Sequence, residues 1–97
     1  MIVDFKNKAT EEIFNGINSK ISRKLLPIEL HNKARSKLDI LNYSEDLNDL
    51  KIPPSNFLEK LKGDRKNQHS IRINLQFRIC FNWNKNKAEN VEITDYH

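Results

Sequence analysis

The clearest pattern along the chain is an alternation of apolar and polar residues over residues 71–83. The odd positions in this stretch are all apolar: Ile71, Ile73, Leu75, Phe77, Ile79, Phe81 and Trp83. A period of two is the signature of a half-buried β-sheet, but the stretch is longer than a usual strand of about 3–10 residues. It therefore predicts a hairpin with a loop at residues 74–76, which pairs Ile73 with Phe77 and keeps the apolar side chains on one face.

The same register places Arg72 opposite Arg78 on the open face of the sheet. Like charges directly opposite each other on neighbouring strands are destabilising. The pair therefore predicts either an anion bound between the two guanidinium groups or carboxylate partners such as Glu59 or Glu92. The sequence pattern leaves both interpretations open.

In the first half of the chain, apolar residues recur at the spacing of a helix, which predicts two helices. A first helix, from about residue 8 to residue 20, is predicted by apolar residues at helical intervals: Ile13, Phe14, Ile17 and Ile21. Pro27 suits the first turn of a second helix, which ends near Tyr43 and has this core stripe: Leu30, Ala34, Leu38 and Leu41. On a flank of the second helix, Lys33 and Lys37 are predicted to form a solvated cationic face.

Short strands and an ordered loop complete the prediction. Residues 1–5 indicate a short strand, residues 57–62 are compatible with another, and residues 63–68 indicate a turn. Residues 44–56 are predicted to be a loop, because Pro53 and Pro54 cannot continue a helix or occupy a central strand. The last strand runs to the chain end, with Glu92, Thr94 and Tyr96 on its polar face. The expected architecture is a single α+β domain over residues 1–97.

Composition narrows the class of protein only slightly. Lys and Arg outnumber Asp and Glu by 17 to 13, which gives a net charge of +4 and favours a polyanionic partner weakly. Cys80 is the only cysteine, so the chain cannot form an internal disulfide or a zinc site that needs two thiolates. We expect a cytoplasmic protein with no metal, cofactor or membrane segment.

Candidate chemistry comes from three groups of residues. Lys62, Arg65 and Lys66 form a basic stretch, and Arg72 and Arg78 form the hairpin pair. The chain then ends in three groups able to exchange protons: Asp95, Tyr96 and His97. Metal-independent RNA cleavage needs a base for the 2′-hydroxyl, cations for the phosphorane and an acid for the departing 5′-oxygen. The sequence contains candidates for each role.

Three segments of this chain, "FLEKLKGDR", "SIRINLQFRICFNW" and "VEITDYH", resemble the HigB (host inhibition of growth) toxin family of the RelE-like superfamily. The resemblance implies two N-terminal helices packed on a small, twisted, mainly antiparallel sheet. It also implies a ribosome-dependent mRNA endonuclease that inhibits translation and growth. The expected partners are a HigA-like helix-turn-helix antitoxin, the ribosome and mRNA, with operator DNA bound only through the toxin–antitoxin complex.

The resemblance also assigns roles to residues. It implies a catalytic set of Asp95, Tyr96, His97, Lys62, Arg72 and Arg78. Beside this set, the candidates for RNA contacts, named for their side-chain chemistry and position, are Arg65, Lys66, His69 and Glu59. Which of the terminal phenol and imidazole is the base stays open. Glu59 occupies a position where some members carry histidine, so it is either a base or the carboxylate partner of Arg72.

Departures from the family pattern keep a second function open. Phe57 replaces an expected arginine, and Leu75 replaces an expected aspartate at the hairpin tip. The first change removes a cation, and the second places an apolar side chain on a turn. The missing cation at Phe57 and the absent histidine at Glu59 keep the alternative to an endonuclease open, a non-catalytic RNA- or protein-binding module with a basic β-surface.

Overall fold

The computed structural model describes residues 1–95, so the predicted site residues Tyr96 and His97 lie outside the described residues. In this range the α-helices are α1 (Lys8–Phe14), α2 (Lys20–Leu25) and α3 (His31–Tyr43), and the strands are β1 (Glu59–Lys60), β2 (Gln68–Arg72), β3 (Phe77–Asn84) and β4 (Lys87–Asp95). The strands form an antiparallel sheet in the order β1-β2-β3-β4. This arrangement confirms the α+β class. No helix of the described chain is long and apolar enough to cross a membrane.

The prediction of an unbroken first helix over residues 8–20 is wrong. Helix α1 ends at Phe14, and Gly16 adopts a φ of +76°, a left-handed conformation that stops helices. A new helix then begins, because the Ser19 and Ser22 side chains each accept a hydrogen bond from the other's backbone N–H. Ile17, which was expected on the buried stripe, lies in the connection and is 46% exposed.

The second predicted helix is confirmed. After a short 3-10 turn at Ile28–Leu30, helix α3 runs to Tyr43, and it buries Ala34, Leu38 and Leu41 completely. The predicted solvated lysine face is wrong for Lys37, which is only 9% exposed. A contact from the loop after α3, described below, covers this side chain.

The long connection from α3 to β1 is an ordered loop, as predicted. It contains 3-10 turns at Leu47–Lys51 and Pro54–Asn56 and ends at Phe57. Strand β1 is short, and the predicted turn that follows it contains a further 3-10 turn at Gly63–Arg65. Leu50 and Asn56 are fully buried, so this loop packs into the protein rather than lying over its surface.

The hairpin register is confirmed. Arg72 lies opposite Arg78, and the Ile73 N–H donates to the Phe77 carbonyl at 2.9 Å. The odd-numbered side chains enter the core, except at the turn, where Leu75 is 87% exposed. The core also includes residues of α1, α3 and β4, among them Ile13, Leu38, Leu41, Val91 and Ile93.

The other face of the sheet is less open than predicted. Its buried side chains include Ser70, Arg78, Cys80 and Glu92. Segments outside the sheet cover these side chains. The Phe57 carbonyl contacts Arg78, and the Lys6 side chain contacts Glu92. A guanidinium and a carboxylate are therefore held in a largely desolvated layer on this face.

Strand β4 is hydrogen-bonded along both edges. Strand β3 pairs with one edge of β4. At the other edge, the N-terminal residues form two isolated parallel bridges, Ile2 with Ala88 and Phe5 with Val91. The predicted N-terminal strand is therefore present only as these bridges. Asn90, with a φ of +56°, lies where the pairing shifts register, and both Ala88 and Val91 are buried.

Nearer the end of β4, the same edge of the strand is hydrogen-bonded by a residue of helix α1. The Ile93 N–H donates to the hydroxyl oxygen of buried Thr10 at 3.1 Å. Because no water reaches a buried N–H, this hydroxyl replaces the strand partner that the N-terminal segment no longer supplies. The contact holds the part of β4 that leads to the chain terminus.

We predict that Thr10→Val lowers the free energy of unfolding by about 1–3 kcal/mol, because it leaves the Ile93 N–H buried without an acceptor. Urea unfolding followed by circular dichroism measures the change. Thr10→Ser is the matched control, since it keeps the hydroxyl and should be less destabilised. Equal loss in both variants would show that the hydrogen bond contributes little.

Candidate functional site

Arg78 is the best-anchored cation on the polar face of the sheet. Its side chain is 4% exposed, and its Nε donates to the Ser70 hydroxyl at 2.7 Å. Its Nη2 donates to the Phe57 carbonyl at 2.7 Å and to the Ser70 carbonyl at 3.4 Å. A buried guanidinium held by several acceptors has a fixed position and direction.

Phe57 connects the two arginines of the hairpin. Its carbonyl accepts from Arg78, while the guanidinium carbon of Arg72 lies 4.0 Å from the centre of its ring. Its backbone is left-handed, with φ 45° and ψ 56°, which is uncommon for a bulky side chain. Such conformations persist where surrounding contacts enforce them, and here the left-handed residue presents its carbonyl to one arginine and its ring to the other.

The predicted carboxylate partners of the arginine pair are present in part, at Arg78 but not at Arg72. Arg78 has a carboxylate neighbour, since Glu59 Oε2 lies 3.7 Å from Nη2. Arg72 instead stacks on an aromatic ring. The other expected partner, Glu92, pairs with Arg65. Glu59 therefore lies beside Arg78 and not beside Arg72, the arginine that was expected to pair with it.

Glu92 is the centre of a second charged cluster on the same face. It is 8% exposed, and its Oε1 lies 2.8 Å from Arg65 Nη1 and 3.5 Å from Lys6 Nζ. Arg65 Nη1 also donates to the Gln68 side chain at 3.0 Å. A cleft of about 530 Å³ adjoins the cluster, and its lining includes Lys6, Arg65, Lys66, Gln68 and Asn82. Lys6 was missed in the sequence analysis.

Cys80 lies between the two clusters, opposite Ser70 on one side and Glu92 on the other. Burial raises the pKa of its thiol above the ordinary value of 9.0, although the nearby Arg65 charge acts in the opposite direction. The thiol is therefore protonated at neutral pH and is a poor nucleophile.

The remaining predicted basic residues are exposed and lie on different clefts. Lys66 is on the 530 Å³ cleft beside Arg65. Lys62 lines a separate cleft of about 450 Å³ with Glu59, Lys60 and Leu61. Glu59 therefore lies between the Arg78 anchor and the surface that carries Lys62.

His69 lies on the opposite face of the sheet from Arg78. Its ring stacks on Phe81, with centroids 6.1 Å apart, and Lys60 lies directly across from it on β1. Its Nδ1 is buried with no hydrogen-bond partner among the described residues. Burial, and secondarily the Lys60 charge, lowers the pKa of His69 below its ordinary 6.5. The structure does not bring this predicted RNA contact to the arginines.

Asp95 also lies apart from Arg78. It is opposite Phe77, on the register of the core-facing side chains, and its Oδ2 accepts from Gln76 Nε2 at 2.9 Å. This bond ties the end of β4 to the hairpin turn. Within residues 1–95, the structure brings Arg78, Arg72 and Glu59 together around Phe57, and it brings Arg65 and Lys66 together on a second cleft. In the same range, no three side chains of His, Cys, Asp or Glu form a group that could hold a metal ion.

Several residues that build the site were missed in the sequence analysis. Ser70 carries a recoverable signal, because extending the hairpin register places it on the same face as Arg78. Asn56 and the Phe57 carbonyl carry no such signal, since the course of the loop decides where they lie. A hydroxyl, a carbonyl and an aromatic ring thus hold two cations side by side, an arrangement suited to binding phosphate.

Comparison with known proteins identifies a family model and two relatives that this chain resembles. A family model described as the RelE-like toxin of type II toxin-antitoxin system HigB matches residues 3–97. Toxin HigB-1 of Vibrio cholerae serotype O1 is 39% identical over 83 residues, covering 86% of this chain and 84% of that protein. An uncharacterized protein of Haemophilus influenzae is 36% identical over 66 residues, covering 68% of this chain and 65% of that protein.

A solved structure supports the fold. The YoeB-YefM complex from Staphylococcus aureus matches with a TM-score of 0.54 at 18% identity, over 94% of this chain and 91% of that chain. At this identity the likeness shows a shared fold and nothing about the site.

We predict that His69 makes the stability of the protein depend on pH. Because its pKa is lowered in the folded state, the unfolded chain binds more protons between that lowered value and 6.5. Stability therefore falls as the pH decreases through this window. Urea unfolding at pH 7.5 and at successively lower pH should show a smaller loss for His69→Phe, which keeps a ring against Phe81.

The matched test is Lys60→Gln, which removes the opposing charge and should raise the His69 pKa toward its ordinary value. Proton NMR titration of the imidazole measures this directly. A wild-type His69 that titrates at or above 6.5 would contradict the burial argument.

We also predict a coupling between Arg72 and Phe57. A guanidinium stacked on a partly exposed ring contributes about 0.5–1 kcal/mol. A double-mutant cycle with Arg72→Gln and Phe57→Leu, measured by urea unfolding, should show a coupling of that size. Additive effects would mean that the stacking does not stabilise the fold.

Proposed function

The chain belongs to the HigB family of RelE-like toxins of type II toxin–antitoxin systems, and from this premise we propose that it is a ribosome-dependent mRNA endonuclease. In this proposal the toxin acts in the cytoplasm, cuts messages during translation and so arrests growth. The reaction is metal-independent attack by the 2′-hydroxyl on the neighbouring phosphate.

The observation that carries the proposal is the anchored guanidinium of Arg78. Its direction is set by Ser70 and the Phe57 carbonyl, and Arg72 lies directly across the strand pair. Donors that are fixed before the reaction stabilise developing charge on a phosphorane without reorganisation. Arg78 would take this role, and Arg72 would bind a neighbouring phosphate oxygen.

Glu59 explains how a phosphate reaches a guanidinium that is only 4% exposed. The Glu59 side chain is 51% exposed, and its 3.7 Å approach to Arg78 is longer than a good charged hydrogen bond of about 2.7–2.9 Å. A phosphate oxygen can therefore replace this carboxylate at Nη2. We infer that Glu59 occupies the position in the absence of RNA and turns toward solvent when RNA binds.

Proton transfer is assigned to the terminal residues on the family resemblance. Tyr96 and His97 follow directly on Asp95 in the sequence, and Asp95 ends β4, which pairs with the strand carrying Arg78. One of them would accept the 2′-hydroxyl proton, and the other would donate a proton to the departing 5′-oxygen, leaving a 2′,3′-cyclic phosphate and a 5′-hydroxyl.

The remaining basic residues would guide the message. Lys62 lines the cleft beside Glu59, and Arg65 and Lys66 line the cleft beside Gln68. Exposed lysines attract the phosphate backbone without reading its sequence. Codon choice would then come from the ribosome and from contacts near the scissile link.

The proposed partners follow from the same premise. A helix-turn-helix antitoxin would neutralise the toxin, and the complex, rather than the toxin alone, would bind operator DNA. The structural neighbour with the shared fold was solved as a toxin–antitoxin complex, which supports a protein partner for this chain.

We predict that deletion of His97 and Arg78→Lys each reduce message cleavage on translating ribosomes by about 10²–10³-fold, the usual loss when one group that stabilises the transition state is removed. Lysine keeps the charge but loses the forked geometry of arginine. Sequencing of mRNA 5′ ends after induction measures the cleavage, and urea unfolding shows whether each variant is folded.

Arg23→Ala is the control, because Arg23 is an exposed cation on α2, away from the polar face of the sheet. It should cut like the wild type. Growth arrest with intact messages would support the non-catalytic binding module instead. Wild-type cleavage by folded variants of both His97 and Arg78 would overturn the site assignment.

A further inference from the structure

A second group of cations lies on the other side of Phe57 from the Arg78 anchor. Lys33 and Lys37 of α3 and Arg72 of β2 line a cleft of about 280 Å³, together with Phe57 and with Leu75 of the hairpin turn. The cleft is near the lower end of the size range for small-molecule sites, about 300–1,000 Å³. It therefore suits a single compact group rather than a length of peptide or a folded surface.

None of these cations is paired with a carboxylate in the described part of the chain. Lys37 is 9% exposed and donates its ammonium hydrogen bond to the Asn56 side-chain oxygen, a neutral acceptor. Arg72 contacts the Phe57 ring, which is also neutral. A buried ammonium without a counterion is costly, and an anion in the cleft would remove that cost.

The electrostatics of Lys37 agree with this geometry. Burial, followed by the charge of Lys33, lowers the pKa of Lys37 below its ordinary 10.5. Both effects disfavour the charged form of the side chain. A bound anion acts in the opposite direction, so its arrival should raise the Lys37 pKa.

The apolar members of the cleft indicate which anion fits. Phe57 is 50% exposed, and Leu75 is 87% exposed. Aromatic rings and arginine planes are the surfaces on which unpaired bases stack in single-stranded RNA recognition. Cations next to such a platform match the phosphate and the base of one nucleotide.

We propose that this cleft is a second nucleotide subsite, which binds the phosphate of the message nucleotide next to the scissile link while its base stacks on Phe57 or Arg72. The inference rests on the proposed function, because it assumes that RNA lies along the polar face. Arg72 and Arg78 are cross-strand neighbours, about 5 Å apart at the backbone, so the two subsites adjoin. The short connection lets one strand of RNA occupy both.

The test is an NMR titration of the full chain with an RNA trinucleotide that carries 2′-O-methyl groups and cannot be cut. We expect the amides of Lys33, Lys37 and Asn74 to shift, and Lys33→Gln to weaken binding by about tenfold. Lys87→Gln is the matched control, since it removes the same charge at the opposite end of β3, beside the other hairpin turn. It should bind like the wild type.

Other ligands and one further variant show which kind of anion binds the cleft. Inorganic phosphate should shift the same lysines more weakly, because it has no base to stack, and Phe57→Leu should weaken trinucleotide binding alone. A glutamate-rich peptide that binds this cleft more tightly than the trinucleotide would overturn the nucleotide assignment in favour of an acidic protein segment. Equal trinucleotide affinity for Lys33→Gln and the wild type would also overturn it.

These readouts use an uncut ligand and so do not depend on catalysis. Loss of trinucleotide binding in Lys33→Gln, with no message cleavage by the wild type, would refute the endonuclease and leave the subsite standing. Message cleavage by the wild type, with unchanged binding by Lys33→Gln, would refute the subsite alone.

Discussion

Burying the Arg78 guanidinium is the constraint on which the polar half of the structure depends. An arginine that is 4% exposed must find acceptors inside the protein, because an unsatisfied buried charge would be very costly. The sheet supplies the hydroxyl and the carbonyl of Ser70. The loop before β1 supplies the Phe57 carbonyl, so the course of that loop is tied to a single side chain of β3.

The same loop joins this anchor to helix α3. Asn56, fully buried, donates from its side-chain nitrogen to the Leu50 carbonyl at 3.1 Å and to the Ile52 carbonyl at 3.3 Å, and its oxygen accepts from Lys37. The next residue, Phe57, turns left-handed and meets both arginines of the hairpin. Helix, loop and sheet are therefore connected through two consecutive residues. A shift of α3 would be transmitted to Arg78 through Asn56 and Phe57, since buried polar contacts of this kind have little freedom to adjust.

The hairpin register could be predicted because one face of it is buried, and a slip of one residue would expose every apolar side chain. The break in the first helix has visible signals in Gly16 and Ser19, but a prediction made from the spacing of apolar residues alone does not use them. The burial of Lys37 and the partner of Arg72 could not be predicted. Both depend on where the loop places Asn56 and Phe57, and no local period fixes the path of a loop. The roles of the terminal phenol and imidazole rest on the family resemblance alone.

The cations of the polar face and of the cleft beside it differ in whether their partner is charged or neutral. Arg65 and Lys6 share the Glu92 carboxylate, so much of their charge is offset within the protein and they act mainly to hold β4 and the β1–β2 connection. Arg72 and Lys37 are held by an aromatic ring and an amide. Neutral acceptors fix the direction of a cation without cancelling its charge, so the field of these two side chains still extends into the adjoining cleft. Electrostatic attraction for phosphate should therefore depend less on the net charge of +4 than on which cations have neutral partners. By this reasoning, if RNA binds as proposed, Arg65 should contribute less to its affinity than Arg72 does.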